Sequence, residues 1–330
     1  MKVKIGLVGL GNHMLGGIYG MLLKLPVKLE AVCDIDGERL QRFSDLSGIP
    51  ASKCYEDYHK MLQNENLDAV LCSGSAELHY QVAKAALMRG ISVFVEKPPC
   101  LNYKQAVELA DLQKENQCFG MAGFNRRFAT SYRMMKEIIE TKEFGKPYLY
   151  MAKYNSSAYR DEEFFVFNHI THHLDLMRYL CGEIREIRAE KIVLTSEKVG
   201  YHIRFVSESG IMGFLQSASL QCESYPAERV EITGDGTCVL VDNVKRLEYN
   251  RLVSPKIDGN PHLSEKDDAL CWNYNHGHSS FYSHYGFERE LGHFFESVRE
   301  KRAPEHTLAD MPGTMRLYEE LKKNTVEISA

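Results

Sequence analysis

The run "VKIGLVGLGN" at residues 3–12 places the strongest constraint on the fold. It is almost continuously apolar, closes on two glycines and passes at once into a helical pattern. A short strand with apolar residues in both directions requires cover on both faces, which is the situation of a strand inside a parallel sheet. The unit then recurs. Residues 29–35, "LEAVCDI", read as a second strand, and "ERLQRFSDLSG" as a helix stopped by Gly48 and Pro50. "LDAVLCSG" at 67–74 is another strand. "AELHYQVAKAALMRG" is a helix with Leu78, Val82, Ala85 and Ala86 on one face and Gly90 as its stop. "SVFVEKPP" is a strand cut off by two prolines, Asn102 N-caps the next helix, and "CFGMAGF" is one more strand. Repeated βα units predict an α/β fold with a doubly wound parallel sheet. The spacing ends this first domain at Ala122, so the expected division is 1–122 and 123–330.

Beyond Gly123 the rhythm changes. "SYRMMKEIIE" and "FFVFNHITHHLDLMRYL" are helical, with a strand, "PYLYMAKYN", between them. Six strand-like segments follow between residues 183 and 252, joined by turn signals such as Ser209-Gly210 and Gly234-Asp235-Gly236. Successive strands on tight turns predict an open, largely antiparallel sheet in an α+β domain. Residues 254–282 are polar and aromatic with little periodicity, and the chain then returns to helix at Phe287, Leu291, Phe294, Phe295 and Val298.

Composition narrows the function. The 330 residues carry 40 Lys and Arg against 45 Asp and Glu, a formal charge of -5, with acid and base interspersed. Without a basic stripe, nucleic acid is not an expected partner. No apolar run approaches the length of a membrane span, so no membrane partner is expected. The N-terminus enters a strand directly, without the pattern of a signal peptide, and the nine cysteines form no CxxC pair. Together these features predict free thiols in a cytoplasmic protein.

"GLGNHM" offers a dinucleotide-binding turn. Gly9 permits the tight turn, and Gly11 lets a pyrophosphate approach the backbone where Asn12 and His13 open a helix. The third fingerprint position is Met14 rather than a small residue, so helix and strand must pack differently there. Asp34 closes the second strand, where an acid accepts hydrogen bonds from an adenosine ribose. Its charge would repel a 2′-phosphate, which favours NAD over NADP. Arg39 is the residue that would overturn that preference.

"VFVEKPPC" places Glu96 and Lys97 at a strand's carboxyl end, where ligands of open α/β sheets bind. A lysine there can hold a substrate hydroxyl. These stretches, with "HYQVAKAALMRGISVFVEKP", "GFNRRF", "HHLDLMRYLCG", "ERVEITGDGTCVLVDN" and "GFERELGHFFESVREKRAP", resemble the glucose–fructose oxidoreductase/inositol dehydrogenase (Gfo/Idh/MocA) family over nearly the whole chain. The resemblance implies an N-terminal Rossmann domain, a C-terminal domain for substrate and oligomerisation, and a cis bond before Pro98. It implies NAD(P)-dependent hydride transfer between nicotinamide and a hydroxyl or keto carbon of a sugar, sugar derivative or cyclitol. A homodimer or homotetramer through the C-terminal sheet is implied in the same way. Cofactor contacts are expected from Gly9, Gly11, Asn12, His13, Asp34, Ser73, Gly74, His79, Glu96 and Lys97. Gly74-Ser75 stands where the family often has Thr-Pro.

"NHITHHLD" at residues 168–175 then has three readings. His169 and His173 at i, i+4 suit a metal, but HxxxH alone is a weak signal, and no metal is expected. The helix is otherwise merely rich in locally bonded histidines. In the third reading Asn168, His172 and Asp175 share a helix face and His172 serves as the general base. The resemblance supports the third. It places the catalytic His on His172 and a later acid on Asp175, and leaves Asn168 where the family has an Asp. Asparagine cannot take a proton, so Lys97 and His172 are the expected catalytic pair. Asn168, Asp175, Tyr154 and Arg127 are expected at the substrate; for Arg127 a structural ion pair is an equal alternative. "WNYNHGHSSFYSHYG", with its aromatic rings, is a candidate substrate lid or subunit contact. Two further functions stay open: an NAD-dependent glycosidase, and a non-catalytic NAD-linked sensor, which Asn168 favours.

Overall fold

The structure is a computed structural model and describes residues 2–221, 227–252, 267–274 and 281–328. It divides into two compact units, Met1–Asn125 with Phe287–Arg316, and Arg126–Gly286 with Leu317–Ala330. The division expected from the sequence was linear. The packed units are not, because a late amphipathic segment completes the first one.

In the first unit six strands, β1 (Val3–Val8), β2 (Val27–Cys33), β3 (Cys54–Tyr55), β4 (Ala69–Cys72), β5 (Ser92–Val95) and β6 (Gly120–Ala122), form one parallel sheet. Their order is β3-β2-β1-β4-β5-β6. The order reverses between β1 and β4, and in such sheets that reversal opens the ligand crevice at the strands' carboxyl ends. β4 and β5 are buried at every position, as their unbroken apolar runs require. The expected stops hold. Gly48 ends the helix Gly37–Ser47 in a left-handed conformation, and Asn102 caps Tyr103–Glu115 by accepting from the Gln105 amide. The helix Phe287–Glu300 buries Leu291, Phe294 and Phe295, and Phe294 meets Phe94 edge-on at 5.7 Å. Burying each such ring contributes roughly 1.5–3 kcal/mol.

In the second unit nine strands form a mixed sheet. They are β7 (Leu149–Asn155), β8 (Ile184–Thr195), β9 (Lys198–Ser207), β10 (Met212–Ala218), β11 (Ala227–Thr233), β12 (Cys238–Asp242), β13 (Arg246–Leu252), β14 (Asp267–Asn273) and β15 (Thr325–Glu327). Their order is β14-β13-β12-β11-β7-β10-β9-β8-β15, antiparallel except for β7 with β10 and β8 with β15. β14 lies inside the stretch expected to lack regular structure. It is polar at its start and, among the described residues, pairs with β13 alone, so no alternating pattern marks it. Much of the aromatic lid candidate, 275–280, lies outside the described residues. Along β7 burial alternates strictly through Tyr154, with Tyr150, Ala152 and Tyr154 inward and Leu149 and Met151 outward. One face therefore packs on helices and the other is open.

Candidate active site

The coenzyme end is built where β1 and β4 diverge. Gly9 has φ +81°, and a Cβ there would lie 2.1 Å from the Ser73 carbonyl oxygen. Only glycine lets the two loops approach so closely. A Cβ on Gly11 would meet nothing within 4 Å, so the turn is open on the side where a pyrophosphate would lie. Asn12 and His13 are exposed at the helix opening. Met14, at the third fingerprint position, is fully buried and begins a π-helical turn, Met14–Ile18. The chain therefore leaves the glycine turn in a wider turn than a regular α-helix. Asp34 is buried, and its Oδ2 accepts from the Leu10 amide at 2.7 Å while Oδ1 accepts from the Asp36 amide at 3.0 Å. The carboxylate is thus fixed beside the glycine turn. These residues fit a nicotinamide dinucleotide: Gly9 and Gly11 would admit the pyrophosphate, and Asp34 would meet the adenosine ribose.

Three further residues, His79, Glu96 and Lys97, gather beside the carboxyl ends of β4 and β5. The Lys97–Pro98 peptide is cis, as the resemblance implied. His79 is buried; its Nε2 accepts from the Gly74 amide at 2.8 Å and its Nδ1 lies 2.8 Å from the Pro98 carbonyl. Accepting at Nε2 requires the proton on Nδ1, which then donates to Pro98. Burial pushes the His79 pKa down, which keeps this neutral form. His79 was expected at the cofactor. Both ring nitrogens are engaged by backbone, so it ties the loop after β4 to the loop after β5 instead. Glu96 is buried with Oε1 3.3 Å from His13 Nε2. Burial alone would raise the Glu96 carboxyl, but His13, Lys97 and His79 hold it below the usual range. Burial would lower His13, and Glu96 outweighs it, so His13 is raised. Lys97 itself is half-buried, with its backbone amide 3.3 Å from Glu96 Oε2.

In the second unit the histidine helix is not uniform. An α-helical turn, Glu162–Phe165, leads into a π turn, Val166–Ile170, and then an α-helix, Thr171–Cys181. The expectation that Asn168, His172 and Asp175 share one face assumed an unbroken period of 3.6 residues. The π turn changes that period at Asn168, whose side-chain Nδ2 donates to the Phe164 carbonyl at 3.2 Å.

Each histidine has a separate environment. His169 Nε2 donates to the Tyr154 carbonyl at 3.2 Å and Nδ1 accepts from the Tyr159 hydroxyl at 2.9 Å. Its ring stacks on Tyr154 with centroids 3.7 Å apart. His173 is fully buried, stacks on Tyr154 at 4.3 Å and sits 3.5 Å from Glu228 Oε1. Burial lowers its pKa despite the carboxylate. His172 meets Tyr154 edge-on at 6.4 Å and is 9% exposed, against 1% for His169 and 0% for His173. The metal reading needs His169 and His173 on one ion, but their rings are engaged by tyrosines and by Glu228. Among the described residues no group of three His, Cys, Asp or Glu is arranged to hold a metal.

Two buried ion pairs support this helix. Arg127 and Asp175 meet in two bonds of 2.6 Å each. Both had been expected at the substrate. Each fills the other's fork, so the ion-pair alternative for Arg127 is the one observed, and Asp175 anchors the helix through Arg127. Tyr154 is also a wall rather than a pocket lining, being 2% exposed with its hydroxyl accepting from Arg126 Nη2 at 2.7 Å. Arg126 grips Glu228 at 2.7–3.0 Å, and the Tyr132 hydroxyl donates to Glu228 at 2.6 Å. Burial would raise the Glu228 carboxyl; the Arg126 guanidinium more than offsets this and holds it far below the usual carboxylate range. Glu228 escaped the sequence reading. It is one acid in an alternating strand, and its partners lie about a hundred residues away in sequence.

The strand order and the glycine turn define a dinucleotide-binding Rossmann domain. Residues 3–124 match the model of the Gfo/Idh/MocA oxidoreductase family, NAD-binding Rossmann fold. The match is to an oxidoreductase family, and the matched residues are those of its NAD-binding Rossmann domain. The chain is 28% identical to myo-inositol 2-dehydrogenase of Thermotoga maritima over 261 residues, covering 74% of this chain and 76% of the relative. It is 31% identical to inositol 2-dehydrogenase/D-chiro-inositol 3-dehydrogenase of Lactiplantibacillus plantarum over 186 residues, 54% of this chain and 53% of that one. The crystal structure of a dehydrogenase from Chromobacterium violaceum superposes with a TM-score of 0.86 at 24% identity, over 98% of this chain and 95% of that one. This last likeness concerns the fold.

Proposed function

We propose that the protein is an NAD-dependent dehydrogenase acting on a secondary hydroxyl of a cyclitol or a closely related sugar. NAD, when bound, supplies the hydride acceptor. In this reading Lys97 donates a hydrogen bond to the substrate hydroxyl and His172 removes its proton as the carbinol C–H departs with its electron pair. Reduction reverses these roles. A base whose pKa lies near neutrality suits the exchange, and general-base catalysis contributes about 10²–10⁴-fold. Asn168 takes no proton in this scheme, so no relay passes through it. The observation that carries the reading is the separation of the three histidines. Two are held by buried tyrosine and carboxylate partners and are 1% and 0% exposed, and His172, at 9%, is the most accessible of the three. The two relatives named for inositol dehydrogenation support the substrate class.

The test is an NADH absorbance screen with cyclitols, sugars, sugar acids and glycosides. Net NADH from a cyclitol or free sugar is expected. Glycoside cleavage with no net NADH would replace this reading with the glycosidase, and tight NAD binding without hydride transfer on any substrate would replace it with the sensor.

We also propose a homo-oligomer formed through the open face of the second sheet, which carries exposed Leu149, Met151 and Met212. A cytoplasmic location accords with the eight free cysteines among the described residues. Among those residues no helix is long and apolar enough to cross a membrane.

A further inference from the structure

We infer that Asp36 is a coenzyme-selecting residue: by holding Arg39, it keeps the ribose end of the site closed to a 2′-phosphate. The inference rests on the NAD reading. The sequence leaves Arg39 as the one cation able to welcome NADP, and the structure shows what restrains it. Arg39 Nε lies 3.3 Å from Asp36 Oδ2 and Nη1 lies 3.8 Å from Asp34 Oδ1. Asp36 divides its carboxylate between two tasks. Oδ1 caps the helix Gly37–Ser47 by accepting from the Glu38 and Arg39 amides at 3.0 and 3.2 Å, while Oδ2 faces the guanidinium. The neighbouring acid, Glu38, faces Arg42 at 3.5 Å.

Two carboxylates and one guanidinium leave the ribose end formally negative. A 2′-phosphate would meet that charge and also compete with Asp36 for Arg39. A ribose hydroxyl needs only Asp34, which is held in place by the Leu10 and Asp36 amides. Arg39 is 51% exposed in its side chain, so its pairing is loose enough to be lost when one partner is neutralised.

The conservative variant separates the two tasks. Asparagine remains a good N-cap through its side-chain oxygen, so Asp36→Asn removes charge and keeps the helix start. Dissociation constants for NADH and NADPH are measured from coenzyme fluorescence, without substrate, on the parent, Asp36→Asn, Arg39→Ala and the double variant. Removing one charge at this range is expected to tighten NADPH binding roughly 3- to 10-fold, more at low salt than at high salt. NADH binding should stay within about twofold of the parent, a change too small to register a charge term. Arg39→Ala in the Asp36→Asn background should remove the larger part of the gain, the part supplied by the released guanidinium. An unchanged NADH-to-NADPH ratio in Asp36→Asn, or a gain undiminished by Arg39→Ala, would overturn the role of Asp36 while leaving the NAD reading intact. A parent protein that binds neither coenzyme would overturn both.

Discussion

His79 and Gly9 carry different kinds of information in the sequence. Gly9 was legible because a strand–glycine–helix pattern implies a positive φ and a close approach, and the physical reason is that a Cβ there would fall 2.1 Å from the Ser73 carbonyl oxygen. His79 was legible as a position but not as a role, since only the folded chain brings the Gly74 amide and the Pro98 carbonyl to its two nitrogens. The His13–Glu96 contact was invisible for the same reason, and it makes a prediction at this scale. His13 has a raised folded pKa, so its contribution is complete below 6.5, the ordinary histidine value, and fades as pH climbs through the raised value. Glu96 has a lowered one, so its contribution is present above 4.5 and fades as pH falls through the lowered value. The pair is therefore complete between 4.5 and 6.5 and weakens as pH climbs through the raised His13 value. An NMR titration should place the His13 midpoint above 6.5, and Glu96→Gln should bring it down. A midpoint that Glu96→Gln leaves in place would refute the assignment.

At the scale of elements, the repeated βα units were readable because buried parallel strands and amphipathic helices have distinct periods. The π turns were not. Nothing in local periodicity separates "VFNHI" from an α-helical turn. The Arg126–Glu228 pair was hidden by its sequence separation, and β14 by its polarity. The open face of the second sheet is an element-scale feature with a consequence. Leu149 of β7 lies beside Met212 of β10, and Met151 beside Phe214, so apolar side chains of neighbouring strands form one patch. Patches of this kind mark interfaces. Met151→Lys together with Met212→Lys should reduce the mass in sedimentation velocity towards that of one chain and leave the circular dichroism unchanged. A parent that already sediments as a monomer at micromolar concentration would refute the proposed interface.

For the whole molecule, the sequence anticipated two folds in series but not the return of residues 287–316 to the first unit. That segment is amphipathic, and amphipathicity declares that a face is buried without saying against what. Gln113 bonding Thr307 at 3.0 Å, and Phe94 meeting Phe294, supply the answer. The proposed function likewise draws on residues far apart in the chain, Lys97 and His172. The most direct test is a double-variant comparison of hydride transfer with an active polyol, using Lys97→Ala, His172→Ala and both together, with NADH binding measured alongside. The account predicts a loss of about 10²–10⁴-fold in kcat for His172→Ala with NADH still bound, and a double variant little worse than the more damaging single one. Full turnover by His172→Ala, or losses that simply multiply, would contradict it.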